Sequence, residues 1–268
     1  MRECRVLWVL DLDGVVWLAG QPIPGSAEAV ARLRSAGHTV AFVTNNAGPT
    51  IDEHVASLRA AGVDADAGEV VSSAQAAASL LQPGTSAAVV GGSGVHEALA
   101  VRGVNVVAPT AEPDAVVVGR APILDYDELA ASASAIRAGS RFVATNTDAT
   151  FPTPGGLLPG AGAVIAFLSV ASGVDPTVAG KPHQAVADLV RYRYGTVGIM
   201  VGDRLDTDGR FASLIGAPFG LVLTGVTRRE EVPADPAPAV VSENLARLVT
   251  TVLDPAFDTP TARPTGAC

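Results

Sequence analysis

Short, wholly apolar runs recur along this chain, and two of them end in clustered carboxylates. Val6-Leu-Trp-Val-Leu10 runs directly into Asp11-Leu-Asp13-Gly14, and Ile199-Met-Val-Gly202 into Asp203-Arg-Leu-Asp206-Thr-Asp208. A strand of this kind has no polar face, so both of its faces must be covered, which is the condition of a parallel sheet with helices on either side. Stretches with helical spacing separate the runs: Ser26 to Ala36 stops at Gly37, and Ile51 to Ala61 stops at Gly62. Further strands are predicted at Thr39 to Thr44, Ala87 to Gly91, Ala115 to Gly119, Arg141 to Thr145 and Val197 to Val201. Further helices are predicted at Gly94 to Ala100, Tyr126 to Ala138 and Gly162 to Ser172. The alternation gives an α/β fold with a doubly wound parallel sheet, a Rossmann-like core.

The strings that carry chemistry lie on either side of a segment long enough to be a small α/β unit of its own. Residues 1–75 and 177–256 therefore read as two parts of one core, and 76–176 as an inserted α/β domain. Residues 257–268, rich in Pro, Thr and Ala without periodicity, read as a disordered tail.

Composition narrows the partners. The formal charge of −9 sets the overall field against nucleic acid and anionic membrane surfaces, and 4% aromatic content offers little for stacking bases. An anionic substrate would need local help from a metal, a lysine or backbone N–H groups. The first apolar run is too short for a membrane span or a signal-peptide core. Cys4 and Cys268 stand at opposite ends in no metal-binding spacing, which fits a reduced, cytoplasmic setting.

Asp11 and Asp13 follow a buried strand, at the end where open α/β sheets place ligands, and alternate residues of an extended turn aim two carboxylates at one point. Asp-x-Asp-Gly alone is as often an Asx turn. The second cluster, Asp203 to Asp208, changes the balance: converging carboxylates repel unless they stay apart in solvent or hold a hard cation. Mg2+ suits them, since it takes oxygen from a few carboxylates and fills its remaining positions with water and substrate. Between the clusters, Thr44-Asn45-Asn46 follows a strand and Gly180-Lys181-Pro182 precedes a helical pattern. Each alone is ordinary, as a helix cap or a solvated lysine; their joint occurrence carries weight.

The ordered set Asp11-x-Asp13-Gly, Thr44-Asn45-Asn46, Gly180-Lys181-Pro182 and Gly202-Asp203-x-x-x-Thr207-Asp208 resembles the haloacid dehalogenase superfamily. More narrowly it is similar to its phosphatases with a large α/β cap after the second motif, the nitrophenyl-phosphatase-like, phosphoglycolate and glycerol-3-phosphate phosphatase group. The resemblance implies that Asp11 attacks phosphorus, and that Asp13 protonates the leaving alcohol and then deprotonates the hydrolytic water. It implies Mg2+ held by the carboxylates of Asp11 and Asp203 and the main-chain carbonyl of Asp13, with Asp208 behind them. Thr44, the backbone after it at Asn45 and Asn46, and Lys181 would bind and neutralise the transferring phosphoryl group. Asp206 is left out of the catalytic set.

In the inserted domain, Thr145-Asn146-Thr-Asp148 followed by Pro159-Gly160 resembles the family's Thr-Asn-x-Asp loop and Pro-Gly turn. Asn146 and Asp148 either meet the substrate or form a local Asx network. Two positions depart from the pattern. Arg120 follows Gly119 where relatives carry an acidic residue nearby, and is either a contact for a second anionic group or a surface arginine. Gly209 replaces a usual isoleucine and should loosen the helix after it. His38, His54, His96 and His183 show no zinc spacing and read as structural or surface residues, and Gly91-Gly-Ser93-Gly94 as a strand-to-helix turn lacking a phosphate-loop lysine.

The expected activity is hydrolysis of a small phosphate monoester, a sugar or polyol phosphate such as glycerol 3-phosphate, with phosphoglycolate or pyridoxal phosphate as alternatives. A non-catalytic phosphate-binding protein is the reading from another class; a dehalogenase would need neither Asp13 nor the metal cluster. A homodimer is compatible with caps of this type.

Overall fold

The computed structural model describes residues 5–153, 155–232 and 235–253. The chain groups into two compact units: one comprises 1–44, 55–71 and 190–268, the other 45–54 and 72–189. Cys4, Cys268 and the tail expected at 257–268 lie outside the described residues.

The first unit is built on a six-stranded sheet, in the order Val240–Ser242, Phe219–Val222, Ile199–Gly202, Leu7–Leu10, Thr39–Thr44, Val70–Ser72. Leu7–Leu10 pairs in parallel with Ile199–Gly202 on one side, Leu10 opposite Val201, and with Thr39–Thr44 on the other. Trp8, Val9, Leu10, Ile199, Met200 and Val201 are fully buried, as strands covered on both faces require. The strand order runs outward from Leu7–Leu10 in one direction with the early chain and in the other with the late chain. The sheet therefore reverses its winding between Leu7–Leu10 and Ile199–Gly202, the place where such sheets open a crevice at their carboxyl ends.

The second unit carries a five-stranded sheet, in the order Thr177–Val178, Arg141–Ala144, Ala115–Val118, Ser86–Val90, Asn105–Val106, with parallel pairings. Helices Tyr126–Arg137 and Ala161–Ser172 pack Leu129, Ile136, Val164, Ile165 and Leu168 against Val116, Val118 and Phe142. An antiparallel hairpin, Thr150–Thr153 with Gly156–Pro159, leaves the sheet. The Gly91–Gly94 turn opens the helix Ser93–Arg102, and its glycines serve packing. A Cβ on Gly94 would lie 2.0 Å from the Pro49 carbonyl oxygen, so only glycine lets this turn lie against residues 47–49.

Among the described residues, no helix is long and apolar enough to cross a membrane. Gly209, expected to loosen the helix after it, stands just before the helix Arg210–Ile215. It closes a wide turn in which its N–H reaches the Arg204 carbonyl at 3.0 Å, and its own backbone is helical. A Cβ there would stand 3.2 Å from the Phe219 ring, so the glycine also admits close packing.

Candidate active site

Asp11 and Asp203 are the first residues past the two strands that flank the reversal of the sheet; Leu10 stands opposite Val201, so Asp11 leaves its strand one residue short of Asp203. The Asp11 N–H still donates to the Val201 carbonyl at 2.9 Å, so Asp11 leaves the sheet with its backbone fixed. One carboxylate oxygen from each of Asp11, Asp203 and Asp208 falls within 4.8 Å of the others, and all three residues are buried. Three buried carboxylates so close repel strongly unless cationic charge sits among them, and an all-oxygen donor set suits a hard divalent cation. The residues present thus fit the Mg2+ that the sequence pattern implies. Asp206 points elsewhere, paired with Arg204 at 3.0 Å and more than half exposed. Burial raises its pKa, but the Arg204 hydrogen bond and charge more than offset this and hold it below the ordinary carboxylate value.

Asp203 sits in a close-fitting backbone nest. The Val226 N–H donates to its Oδ2 at 2.6 Å and the Thr227 N–H to its carbonyl at 3.1 Å. Gly14 and Gly225 line it without side chains: a Cβ would come to 2.5 Å from its Cγ and 1.9 Å from its Oδ2, respectively. Thr224 Oγ1 donates to the Gly14 carbonyl, joining this loop to the Asp11–Asp13 turn. The sequence did not single out residues 224–227; the isolated glycine after the buried run Phe219–Val222 was the available signal. Asp208 is anchored too, its Oδ2 accepting the Arg204 N–H at 3.2 Å, with Gly202 leaving room for it.

The carboxylate of Asp13 is not one of the three. It is half-buried and accepts the Trp17 indole N–H at 3.1 Å, within a turn in which the Gly14 N–H donates to the Trp17 carbonyl at 2.6 Å. Trp17 was also missed, although a tryptophan four residues after an expected proton-transfer group is a plausible donor. Thr44 ends its strand as a buried residue.

The other motif residues assemble in the second unit, around Asn45. Its Oδ1 accepts the Lys181 N–H at 2.8 Å, and its Nδ2 donates to the Lys181 carbonyl at 3.1 Å and to Asp148 Oδ2 at 3.3 Å. Its main-chain carbonyl accepts from Ser73 Oγ at 2.6 Å and from Asn146 Nδ2 at 2.7 Å. Asn146 Oδ1 accepts the Asp148 N–H at 3.0 Å, an Asx turn, so of the two roles open to Asn146 the local network is the one its described contacts form. Asn46 Oδ1 accepts the Gly48 N–H at 3.2 Å, and buried His54 brings Nε2 to 3.1 Å from the Asn46 carbonyl. Burial holds the His54 pKa below its ordinary value, so near neutral pH the ring is uncharged and donates to that carbonyl. Lys181 is buried.

Residues 8–105 match the family model for the haloacid dehalogenase-like hydrolases, and residues 178–248 a second hydrolase model of the same kind. A D-glycerol 3-phosphate phosphatase of Mycobacterium tuberculosis is 40% identical over 249 residues, covering 90% of this chain and 70% of its own. The chain belongs to the haloacid dehalogenase-like hydrolases. Within them, an acid sugar phosphatase of Staphylococcus saprophyticus is 33% identical over 238 residues, 86% of this hydrolase and 91% of that relative. Among solved structures, the glycerol phosphate phosphatase from Mycobacterium tuberculosis in complex with magnesium superposes with a TM-score of 0.86 at 38% identity. It covers 92% of this hydrolase and 77% of that chain.

Proposed function

We propose that this hydrolase is a magnesium-dependent phosphatase that cleaves a small phosphate monoester, a sugar or polyol phosphate with glycerol 3-phosphate foremost, through an aspartyl phosphate on Asp11. The observation that carries the reading is the buried trio Asp11, Asp203 and Asp208 at the reversal of the parallel sheet. The relatives named for glycerol 3-phosphate and acid sugar phosphatase activity support the substrate class.

Mg2+ bound by this trio would neutralise their charge and that of the phosphoryl oxygens, leaving Asp11 free to act as a nucleophile. An Asp11 oxygen attacks phosphorus and the ester P–O bond breaks. Asp13, held by Trp17, gives its proton to the departing alkoxide. Asp13 then takes a proton from water as that water attacks the acyl phosphate, releasing inorganic phosphate and restoring Asp11. Thr44 and the N–H groups after it bind the phosphoryl oxygens, and Lys181 supplies positive charge for them. Asn45, Asn146 and Asp148 hold the backbone that presents these groups. We read residues 76–176 as the cap that selects the ester, and place the enzyme in the cytoplasm, where such metabolites are made, as a monomer or a homodimer.

The test is a panel of phosphate esters assayed with Mg2+ and with a chelator, on the wild type and on Asp13→Asn. Turnover that needs Mg2+ is expected. In the first turnover, Asp13→Asn should slow release of the alcohol from glycerol 3-phosphate, a poor leaving group, by about 100-fold or more and release of p-nitrophenolate, which needs no proton, far less, while hydrolysis of the aspartyl phosphate, which also uses Asp13, slows for both. Binding of esters without turnover of any would overturn the reading in favour of a phosphate-ligand binding protein.

A further inference from the structure

Arg120 is a cation of the second unit that the proposed chemistry does not use, and Arg102, Arg137 and Arg141 of that unit each donate to main-chain carbonyls. Arg120 is placed differently. It follows Gly119 at the carboxyl end of the central strand Ala115–Val118, the end at which parallel sheets receive ligands. Its guanidinium carbon lies 4.2 Å from the centre of the Phe151 ring, over its face. Its Nη1 lies 3.9 Å from the point where a Cβ on Gly48 would stand. Arg120 is thus bracketed by Gly48, in the loop leaving Asn45 and Asn46, and by Phe151, on the hairpin strand Thr150–Thr153 that follows Asn146 and Asp148. Both Arg120 and Phe151 are half-buried. Among the described residues no hydrogen bond or ion pair to a protein acceptor engages this guanidinium. Contact with the ring face holds its plane and leaves its N–H edge for another molecule, and a planar fork of donors matches a carboxylate in two-pronged fashion.

Building on the phosphatase reading, we infer that Arg120 is a specificity-determining residue that binds an anionic oxygen group on the organic part of the ester, a carboxylate in the first place. The substrate class then extends from polyol phosphates to phosphorylated hydroxy acids and acidic sugars, whose carboxylate the fork would hold. Phe151 acts through Arg120, by fixing where the fork points.

The inference is tested with Arg120→Gln and Arg120→Lys. In the presence of Mg2+, kcat/KM is compared for phosphoglycolate, glycerol 3-phosphate and p-nitrophenyl phosphate. Arg120→Gln should lower kcat/KM for phosphoglycolate by about 10- to 100-fold, the weight of a hydrogen-bonded charge, mostly through KM, and change p-nitrophenyl phosphate less than about twofold. Arg120→Lys should restore part of the loss. A separate readout needs no turnover: the rise in Tm produced by phosphonoacetate against that by methylphosphonate. The wild type should respond more to phosphonoacetate, and Arg120→Gln should abolish the difference. Equal responses in the wild type, or a difference that survives Arg120→Gln, would overturn the assignment of Arg120. Absence of turnover with the Tm difference intact would overturn the phosphatase reading and leave Arg120 standing.

Discussion

The side-chain amide of Asn45 meets both backbone groups of Lys181, accepting its N–H at 2.8 Å and donating to its carbonyl at 3.1 Å. The two residues are 136 positions apart, yet the amide closes on the Lys181 peptide as one strand closes on another. The conformation of the Lys181 loop thus depends on a side chain from the Thr44-Asn45-Asn46 motif. Removing the amide in Asn45→Ala leaves a partly buried N–H and carbonyl without it, at a cost of about 1 to 3 kcal/mol. It should also lower kcat by about 10- to 100-fold, because a small displacement of a charge-stabilising group is costly. Ser73→Ala is the control: the Asn45 carbonyl keeps its Asn146 donor, and the loss should stay under about 1 kcal/mol. Urea unfolding and steady-state kinetics of the two variants check the order; equal effects would make the clamp unimportant.

Asp11→Asn should abolish turnover, by about a thousandfold or more, as removal of a nucleophile does. It should do so without unfolding the protein. One charge fewer among three buried carboxylates relieves repulsion, so in a chelator the variant should melt at or above the wild-type temperature. Added Mg2+ should stabilise the wild type and do so less for Asp11→Asn. Thermal melts across a Mg2+ titration measure both. A wild type whose melting ignores Mg2+ would count against the trio as a cation site.

Much of this was legible before any coordinates, for a physical reason. The strands Leu7–Leu10, Thr39–Thr44, Ser86–Val90, Ala115–Val118, Arg141–Ala144 and Ile199–Gly202 are covered on both faces, so their apolar runs stand out, and the structure moves their ends by only a residue or two. The carboxylates at the ends of Leu7–Leu10 and Ile199–Gly202 came with them. Val70–Ser72 and Val240–Ser242, three residues each at the sheet edges, were not seen, because so short a strand has no period to read. The nest around Asp203 was hidden for another reason. Val226 and Thr227 act through backbone N–H groups that almost any residue supplies, and only the missing side chain of Gly225 leaves a trace in the sequence. Trp17 was passed over because its partner lies within one turn of chain, where a tryptophan reads as core.

The trace at Gly225 can be tested. A methyl group there would fall 1.9 Å from Asp203 Oδ2, so in Gly225→Ala either the carboxylate or the loop must move. Either movement spoils the grouping of Asp203 with Asp11 and Asp208. The Mg2+ concentration for half-maximal activity should rise by about tenfold or more, the usual scale for disturbing a ligand through its support. Asp203→Asn should show the same direction with a larger effect. An unchanged Mg2+ requirement in Gly225→Ala would show that the nest has no part in placing Asp203.

His54 gives a prediction in pH. Its ring is buried under the Asn46 carbonyl, and burial lowers its pKa from the ordinary 6.5, with the Asn46 hydrogen bond and the nearby charge of Glu53 offsetting part of the shift. Well above 6.5 the ring is neutral in folded and unfolded chains alike, and there it makes stability neither rise nor fall with pH. Below that value the unfolded chain takes up a proton that the folded chain resists, so stability falls as the pH drops from 6.5 toward the folded pKa. His54→Gln keeps a donor for Asn46 and cannot titrate. The difference in unfolding free energy between wild type and His54→Gln should be flat above about pH 7 and should move against the wild type from about pH 6.5 downward. His183, also lowered by burial, is present in both proteins and cancels in the difference. Urea denaturation at several pH values measures this difference. A difference that stays flat through the acid range would mean that His54 carries its proton as readily when folded as when unfolded, and would remove it as the neutral donor that holds the Asn46 loop.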